Sequence, residues 1–448
     1  MRLFIFSYIY TITHHIRLPL LALSFFVAPS YAQEAFVPVE YRVGSVTHKV
    51  RAHAAMDAPV RGLIEKDSVF AVGKIVSYNG CAAGWAEVQY GVVCLMKTSV
   101  VQQEPSSLPT NLDILPPLTA DDQNLYTATP ADPPFMTSIY AKRDETHTGK
   151  VWASITDYET GERYKWRLDL GKDHRFVNAH QTTKGWVLER PNGAIVPISE
   201  VYLYPASRFV GRDMQQFPHV TDSLIGWVNV KEGSLLYWNM TLEEEPWLQM
   251  EYRRILDVFP VEGSTEWLQV PMGDLVGYIP TKDIKLWNEV AIPQDIVDDQ
   301  IWVDVDLQTQ MLAVRKGNEF VYITLISSAM EKNGTPLGLY QIYDKNIGWD
   351  LASADGAAEP YYMEKVPFVM HYYPRYAVHT AFWHDNFGTP ASHGCINLSP
   401  KDARAVFELL LPDLPQGWEY VKQSKANQGT ILRVRNGTTE GKDKRIKP

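Results

Sequence analysis

A short hairpin pattern recurs three times in the first two thirds of the chain. In residues 84–93, 185–197 and 267–280, a tryptophan opens an apolar strand, which a turn joins to a second apolar strand. Turn residues between short alternating strands are typical of β-hairpins. A chain of 448 residues is too long for a single hydrophobic core. The recurrence therefore predicts a series of small β modules.

The first hairpin resembles the closing strands of bacterial SH3-like barrels, in which a Gly-Trp pair such as Gly84-Trp85 starts the strand. We therefore expect three modules. They are an SH3-like module over residues 37–100, a β module over 135–207 for which an SH3-like fold is one option, and an SH3-like module over 218–290. A generic β-barrel without a ligand is the alternative for the first. The prolines of residues 101–134 predict an extended linker.

The strongest chemical signal surrounds Cys395, within Ser392-His393-Gly394-Cys395-Ile396-Asn397. A thiol is only a few per cent ionised near neutral pH, so it needs an imidazole that takes its proton and pairs with the thiolate. His379, earlier in the chain, is the candidate base. Gly394 permits a tight turn, and the backbone N–H groups of His393, Gly394 and Cys395 are the candidate oxyanion donors.

Other residues near Cys395 have supporting roles in this hypothesis. Asn397 is expected to hydrogen-bond the backbone of the turn, which also contains Ser392. The carbonyl or hydroxyl of Thr380 is expected to orient the imidazole of His379. A structural role and substrate binding are equally consistent with a further group of nearby residues, which comprises His371, Arg375, Trp383 and His384.

The same histidines also permit a zinc site, because His and Cys side chains are common zinc ligands. The candidate ligands are His371, His379, His384 and His393, with Cys395 or Asp385. None of the usual spacings CxxC, HxH or HExxH occurs among them. These spacings therefore do not favour a zinc site.

The segment from His379 to Asn397 resembles the signature of the L,D-transpeptidases with a YkuD catalytic domain. That signature is a histidine, a spacer, then Ser/Thr-His-Gly-Cys, one apolar residue and Asn or Arg. The resemblance extends upstream through residues 301–310 and through Thr335-Pro336-Leu337-Gly338-Leu339-Tyr340, which is similar to the family's TPxGxF/Y hairpin. It covers residues 299–425. The chain departs from the family at Ser327-Ser328-Ala329, where a Ser-x-Gly turn is common.

The resemblance implies a mainly β fold, with a YkuD-type β-sandwich or barrel that has a short helix after the nucleophile and follows the small SH3-like barrels. Ser399 followed by Pro400 predicts where that helix begins. Its apolar face comprises Ala403, Val406, Phe407 and Leu410. Residues 344–362 lack clear periodicity, and in this family such a segment often caps the active site. The tail, residues 436–448, is predicted to be disordered.

The resemblance also implies a reaction. Cys395 would attack the carbonyl that joins the third residue of a peptidoglycan stem tetrapeptide to its terminal D-alanine. The resulting thioester would pass to an amine of another stem peptide, or to an amine of a wall-anchored protein. The reaction that the resemblance implies needs no metal or cofactor. If water accepts the acyl group instead, the same site is an L,D-carboxypeptidase. The expected partners are therefore peptidoglycan stem peptides and glycan.

Two other classes remain open at this point. A Cys-His wall hydrolase also joins SH3-like modules to a thiol, although its cysteine usually precedes its histidine, the reverse of the order here. A non-catalytic cell-wall-binding protein would depend on the β modules alone. Those modules are equally consistent with wall attachment or substrate placement and with a role as spacers.

Residues 1–32 have the features of a signal peptide. An apolar run over residues 18–28 follows basic residues, and Ser30-Tyr31-Ala32 provides the residues for cleavage after Ala32. An uncleaved anchor is the alternative, because the n-region is itself apolar. We expect an exported protein of the periplasm or cell envelope, with no stable membrane span after cleavage. The formal charge of −10 predicts no nucleic acid partner.

The cysteines are consistent with export. Cys81 and Cys94 lie on either side of a hairpin-like stretch, so a disulfide between them is expected in an oxidising compartment. Cys395 then remains unpaired. A free thiol in such a compartment is open to oxidation, and catalysis is a reason for the chain to keep it.

Overall fold

The computed structural model describes residues 36–445, apart from 103, 105–137, 205–206, 244, 332–333, 354–355, 357–359 and 443–444. The predicted signal peptide, residues 1–32, and nearly all of the predicted linker, residues 101–134, lie outside the described residues. Among the helices that are described, none is long and apolar enough to cross a membrane.

The chain is mainly β, as expected. Its first eight strands are β1 (Glu40–Gly44), β2 (His48–Arg51), β3 (Val60–Ile64), β4 (Val69–Val72), β5 (Ile75–Ser77), β6 (Trp85–Val88), β7 (Gly91–Cys94) and β8 (Thr98–Val101). A disulfide joins Cys81, which precedes β6, to Cys94 at the end of β7, and their Cα atoms lie 5.9 Å apart.

The next segment combines short strands with one short helix. Its elements are β9 (Ile139–Lys142), β10 (Lys150–Val151), α1 (Ile155–Thr160), β11 (Trp166–Arg167), β12 (Asp173–Phe176), β13 (Asn178–Thr182), β14 (Gly185–Glu189), β15 (Ile195–Pro197), a 3-10 helix (Ile198–Glu200) and β16 (Tyr202–Leu203).

The third segment is built around a five-stranded sheet. Its elements are β17 (Arg212–Asp213), β18 (Leu224–Val228), β19 (Ser234–Leu236), β20 (Leu248–Met250), β21 (Ile255–Val261), β22 (Ser264–Met272), β23 (Leu275–Pro280), a 3-10 helix (Thr281–Asp283) and β24 (Ile284–Leu286). The three predicted hairpins are confirmed, since β6 pairs with β7, β14 with β15 and β22 with β23, each antiparallel.

The last segment holds the region with the cysteine signature. Its elements are β25 (Ile301–Asp306), β26 (Met311–Lys316), β27 (Glu319–Leu325), β28 (Gly338–Gln341), β29 (Asp344–Ala352), β30 (Tyr362–Tyr373), β31 (Tyr376–Thr380), β32 (Ile396–Leu398), α2 (Pro400–Leu409), β33 (Trp418–Lys422), β34 (Ile431–Asn436) and β35 (Thr439–Glu440). The predicted helix is confirmed: Ser399 caps it by accepting a hydrogen bond from the Asp402 N–H, and Pro400 occupies its first turn.

The main core lies between two layers of this last segment. One layer is the sheet β17-β27-β26-β25-β34-β28, and the other is formed by β30, β31 and β32 together with α2. Fully buried side chains from both layers meet there, including Val303, Leu312, Val314, Met370, Val378, Ile396, Leu398, Val406 and Leu432. Because interiors are close-packed, this core holds β31 and β32 in a defined position.

The predicted modules are hydrogen-bonded to the last segment. A long sheet runs in the order β16-β9-β12-β30-β29-β33-β3-β2-β7-β6-β5 and so includes strands from residues 37–100, 135–207 and 299–425. At one junction Gly62 of β3 pairs with Val421 of β33. A Cβ at Gly62 would lie 2.3 Å from the Trp418 ring, so only glycine permits this approach. The division into SH3-like modules stays a prediction.

Three expectations for the last segment need correction. Residues 344–352 form β29, which pairs with β30 and β33, instead of an irregular excursion. The predicted boundary at residue 425 omits β34, which lies between β25 and β28 in the catalytic sheet. The tail predicted to be disordered from residue 436 begins as a hairpin of β34 and β35, because Arg435 pairs with Glu440. Residues 443–444 and 446–448 lie outside the described residues.

Candidate active site

His379 lies at the penultimate position of β31, with 2% of its surface exposed. Its Nδ1 lies 2.8 Å from the Thr380 carbonyl oxygen, so Nδ1 carries the proton and donates it to that carbonyl. Burial, and secondarily the neighbouring His371 and His384, lower the pKa of His379 to about 4. The ring is therefore neutral at neutral pH, and its Nε2 lone pair is left as a base. The carbonyl of Thr380, and not its hydroxyl, makes this contact.

The nucleophile lies just before β32. Cys395 is the free cysteine, and its half-buried Sγ lies 3.9 Å from the Arg375 carbonyl oxygen. It packs against a buried, largely apolar cluster that comprises Tyr140, Tyr204, Val366, Val369, Ala377 and Phe382. These surroundings raise the pKa of the thiol to about 11, although a hydrogen bond from the Ala377 backbone opposes the increase. The resting site thus holds a neutral thiol and a neutral imidazole, which differs from the thiolate–imidazolium pair expected above.

Parallel pairing of β31 with β32 brings the base and the nucleophile together. Val378 lies opposite Ile396, and His379 lies opposite Asn397. Cys395 itself precedes β32, and it packs against the cluster that includes Ala377, which lies two positions before His379 on β31. Because side chains two positions apart on a strand point to the same face, the nucleophile lies beside the face of β31 that carries His379.

Two hydroxyls hold the turn that carries the nucleophile. Ser392 Oγ accepts a hydrogen bond from the Gly394 N–H at 3.0 Å and donates one to the Cys395 carbonyl at 2.6 Å. Thr335 Oγ donates to the Gly394 carbonyl at 2.9 Å and accepts from the Ala329 N–H at 3.1 Å. The threonine of the TPxGxF/Y segment thus supports the turn, a role that the sequence analysis did not assign.

Gly394 is required by a close approach. A Cβ at this position would lie 2.7 Å from the Tyr376 ring and 3.1 Å from the Gly334 carbonyl oxygen. A larger residue would push the turn away from β31. Of the three predicted oxyanion donors, the Gly394 N–H donates to Ser392 Oγ instead. The role of the His393 and Cys395 N–H groups stays a prediction.

Asn397 differs from expectation. Its Nδ2 lies 3.0 Å from His384 Nε2, so its side chain contacts an imidazole instead of the turn backbone. Its Oδ1 is buried and meets no partner among the described residues. Ser392 makes the turn contacts that had been assigned to Asn397, because its hydroxyl lies inside the turn.

The other candidate residues occupy different positions around the site. The Trp383 ring lies 5.9 Å from the His379 ring, and the Arg375 carbonyl faces the thiol. His371 is buried and pairs with Asp344 at 2.7 Å, which favours a structural role. Burial lowers the pKa of His384 to about 4. Within the part of the chain that is described, no three His, Cys, Asp or Glu side chains are grouped as metal ligands.

Tyr361 is a further residue near the site that no sequence pattern indicated. Its ring lies 5.5 Å from the ring of His393, and burial raises the pKa of its hydroxyl. Tyr361 precedes β30 by one residue, in a stretch without strand periodicity. Since no pattern marks such a position, only the fold reveals that it reaches the nucleophile turn.

Residues 300–434 match the family model described as the L,D-transpeptidase catalytic domain, YkuD. YciB of Bacillus subtilis (strain 168), named as a candidate L,D-transpeptidase, is 27% identical to this chain over 124 residues. That alignment spans 25% of this chain and 63% of the relative.

Solved structures are also similar to this chain. The catalytic domain of an Enterococcus faecium L,D-transpeptidase acylated by ertapenem is 23% identical, with a TM-score of 0.25, over 31% of this chain and 98% of that one. An L,D-transpeptidase from Mycobacterium smegmatis is 16% identical, with a TM-score of 0.26, over 49% of this chain and 88% of that one. The region that matches the L,D-transpeptidase catalytic domain family YkuD, residues 300–434, thus includes both Cys395 and His379.

Proposed function

We propose that the chain is a peptidoglycan L,D-transpeptidase with Cys395 as nucleophile and His379 as base. The observation that carries the proposal is the pairing of β31 with β32, which brings His379 opposite Asn397, two positions after Cys395. It is supported by the hydrogen bond from His379 Nδ1 to Thr380, which leaves Nε2 free to accept the thiol proton.

In the first step, Cys395 Sγ attacks the carbonyl between the third residue of a stem tetrapeptide and D-alanine. The thiol proton passes to His379 Nε2 as the S–C bond forms, because both groups are neutral at rest. The N–H groups of His393 and Cys395 stabilise the oxyanion, because the Gly394 N–H already donates to Ser392 Oγ. The imidazolium then protonates the departing nitrogen, so D-alanine leaves as an amine and the enzyme holds a thioester.

In the second step, an amine attacks the thioester. His379 takes a proton from this amine and returns it to the sulfur, so that a new amide and the free thiol result. The acceptor we propose is the third residue of another stem peptide, which gives a 3-3 cross-link. This assignment also requires export to the cell envelope, where the predicted signal peptide would direct the chain.

The test uses residues 33–448, which are incubated separately with ertapenem and with disaccharide-tetrapeptide. Intact mass and released D-alanine are measured for the wild type, Cys395→Ala and His379→Gln. His53→Gln, at an exposed position far from the signature, is the matched control. We expect an adduct, D-alanine and cross-linked dimer for the wild type and the control, and none of them for Cys395→Ala.

The other outcomes separate the alternatives. An adduct with D-alanine but without dimer would replace the stem-peptide acceptor by water or by a protein amine. D-alanine release that survives Cys395→Ala and stops with a chelator would indicate a zinc enzyme. If the wild type forms no adduct and releases no D-alanine but binds sacculi, the enzyme assignment is wrong and wall binding replaces it.

A further inference from the structure

Residues 381–390, named here the rim loop, connect His379 to the nucleophile turn. Three side chains from outside residues 300–434 hold this loop by polar contacts. Arg253 donates to Asp385 through both terminal nitrogens, at 3.0 Å to Oδ1 and 2.5 Å to Oδ2. Ser207 Oγ donates to Asp385 as well, and Lys285 Nζ donates to the Gly388 carbonyl at 2.8 Å.

Apolar contacts reinforce this attachment. The Phe209 ring stacks on Phe387 of the rim loop at 6.0 Å, and the Arg253 guanidinium lies 5.1 Å from the Phe209 ring. The two-pronged contact between Arg253 and Asp385 defines an orientation as well as a distance. The rim loop is therefore positioned by residues that precede the catalytic region in the chain.

The charge of Asp385 depends on these contacts. Burial favours the protonated carboxyl, but hydrogen bonds from Arg253 and Ser207 outweigh it and lower the pKa of Asp385. Asp385 therefore stays ionised at neutral pH, and Arg253 balances its charge. The Asp385 side chain is 53% exposed, so without Arg253 its carboxylate is free to rotate into water, and this contact no longer fixes the orientation of the adjacent residue, His384.

The hydrogen bonds of His384 define which ring nitrogen carries its proton. The Asn386 N–H donates to Nδ1 at 3.2 Å, so Nδ1 has no proton in the neutral ring. The proton is then on Nε2, which lies 3.0 Å from the Asn397 amide. An Nε2–H donor must face the amide oxygen, because it cannot bond to another N–H donor. The amide nitrogen of Asn397 then takes the buried position where no partner meets it among the described residues.

We propose that Arg253 is a positioning residue for the active site. Acting through Asp385, it holds His384 as the Nε2–H form, and His384 in turn fixes the amide of Asn397, the residue that lies opposite His379 in the pairing of β31 with β32. The effect on acylation rests on the proposed function, whereas the proton position on His384 does not.

The experiment compares Arg253→Gln with Arg253→Lys, in residues 33–448. Arg212→Gln is the matched control. Arg212 makes the same two-pronged contact with Asp257, at 2.9 Å for each bond, and among the described residues it makes no hydrogen bond or ion pair with the rim loop. The rate of ertapenem acylation is measured by intact mass. The protonated nitrogen of His384 is read by NMR with ¹⁵N-labelled histidine and is assigned with His384→Gln.

We expect Arg253→Gln to slow acylation by about ten- to a hundredfold, the range for a small displacement of reacting groups. Arg253→Lys should recover most of the rate, and Arg212→Gln should stay within about twofold of the wild type. The wild type should show His384 protonated at Nε2, and Arg253→Gln should show a mixture of both forms.

The proposal would be overturned if Arg253→Gln is acylated at the wild-type rate and its His384 keeps the proton on the same nitrogen. It would also be overturned if His384 of the wild type carries its proton on Nδ1. An equal loss of rate in Arg212→Gln would also overturn it, since any broken ion pair would then have the same effect. If the wild type fails to react with ertapenem, the proposed function fails, while the His384 signal still decides this inference.

Discussion

The neutral resting pair has a measurable consequence for the reactivity of Cys395. Its pKa of about 11 leaves about one thiol in ten thousand ionised at pH 7, whereas an ordinary thiol is ionised at about 3%. The thiolate fraction is therefore roughly 300-fold lower. A more basic thiolate is also the better nucleophile, by about tenfold over this pKa difference. We thus expect alkylation by iodoacetamide at pH 7 to be about 30-fold slower than for a free cysteine.

The assay follows the mass of residues 33–448 with iodoacetamide between pH 6 and pH 11. Cys81 and Cys94 are joined, so one free thiol is read. Deprotonation favours the reactive form, so the rate should rise about tenfold per pH unit from pH 7 to pH 10 without a plateau. His379→Gln should alter this rate by less than about threefold, because the imidazole holds no thiolate at rest.

A plateau below pH 7 would refute this reasoning, since it would show a thiolate already formed at neutral pH. A large loss of alkylation in His379→Gln would refute it in the same way, because only an ion pair needs the imidazole to hold the thiolate. His379→Gln must abolish acylation by ertapenem in either case if His379 is the base. The two reagents together therefore separate a resting ion pair from proton transfer during attack.

Other substitutions test the surroundings of the site. Thr335→Val should lower the free energy of unfolding by about 1–3 kcal/mol in urea titrations and slow acylation, because it leaves the Gly394 carbonyl without its donor; an unchanged acylation rate would show that the contact does not position the turn. Asp402→Asn should lower the unfolding free energy by a similar amount, because two hydroxyls and a backbone N–H donate hydrogen bonds to its buried carboxylate. The acylation rate should stay at the wild-type value at denaturant concentrations below the unfolding transition. Replacing Cys81 and Cys94 with serine should lower the unfolding free energy by about 3 kcal/mol, as expected for a separation of 13 residues; identical denaturant midpoints would contradict this.

Local patterns predicted the hairpins and the helix well. A period of two in residues 267–280 reports which side chains share a face, and β22 with β23 forms the predicted hairpin. Ser399 and Pro400 likewise mark a helix start through short-range chemistry, a hydroxyl acceptor and a fixed φ. Such signals act within a few residues and therefore remain visible in the sequence.

Pairings between distant strands were not predictable. β3 was missed, and its partner β33 lies more than 350 residues later in the chain. Nothing local to Gly62 identifies the Trp418 ring that requires the glycine. Residues 344–352 lack a clear sequence periodicity for a similar reason. Their strand, β29, is paired on both edges, and this pairing maintains the strand more than an alternation of apolar and polar residues does.

The same limit applies to the candidate site. Cys395 and His379 stand out because the thiol, the glycine and the histidine lie within one short segment. Thr335 and Arg253 hydrogen-bond to residues of that segment that lie 59 and 132 positions away in the chain. A lone threonine or arginine has many possible partners, so its contact is defined only when the sheets assemble.

The strand β34 closes the sheet that packs against the layer of β31 and β32, since it pairs parallel to β25 and antiparallel to β28. A ribosome delivers β34 after Cys395. That sheet therefore cannot close until the chain beyond Cys395 has been made. Cys81 and Cys94 are synthesised well before Cys395, so their disulfide can form before a third thiol is present to exchange with it.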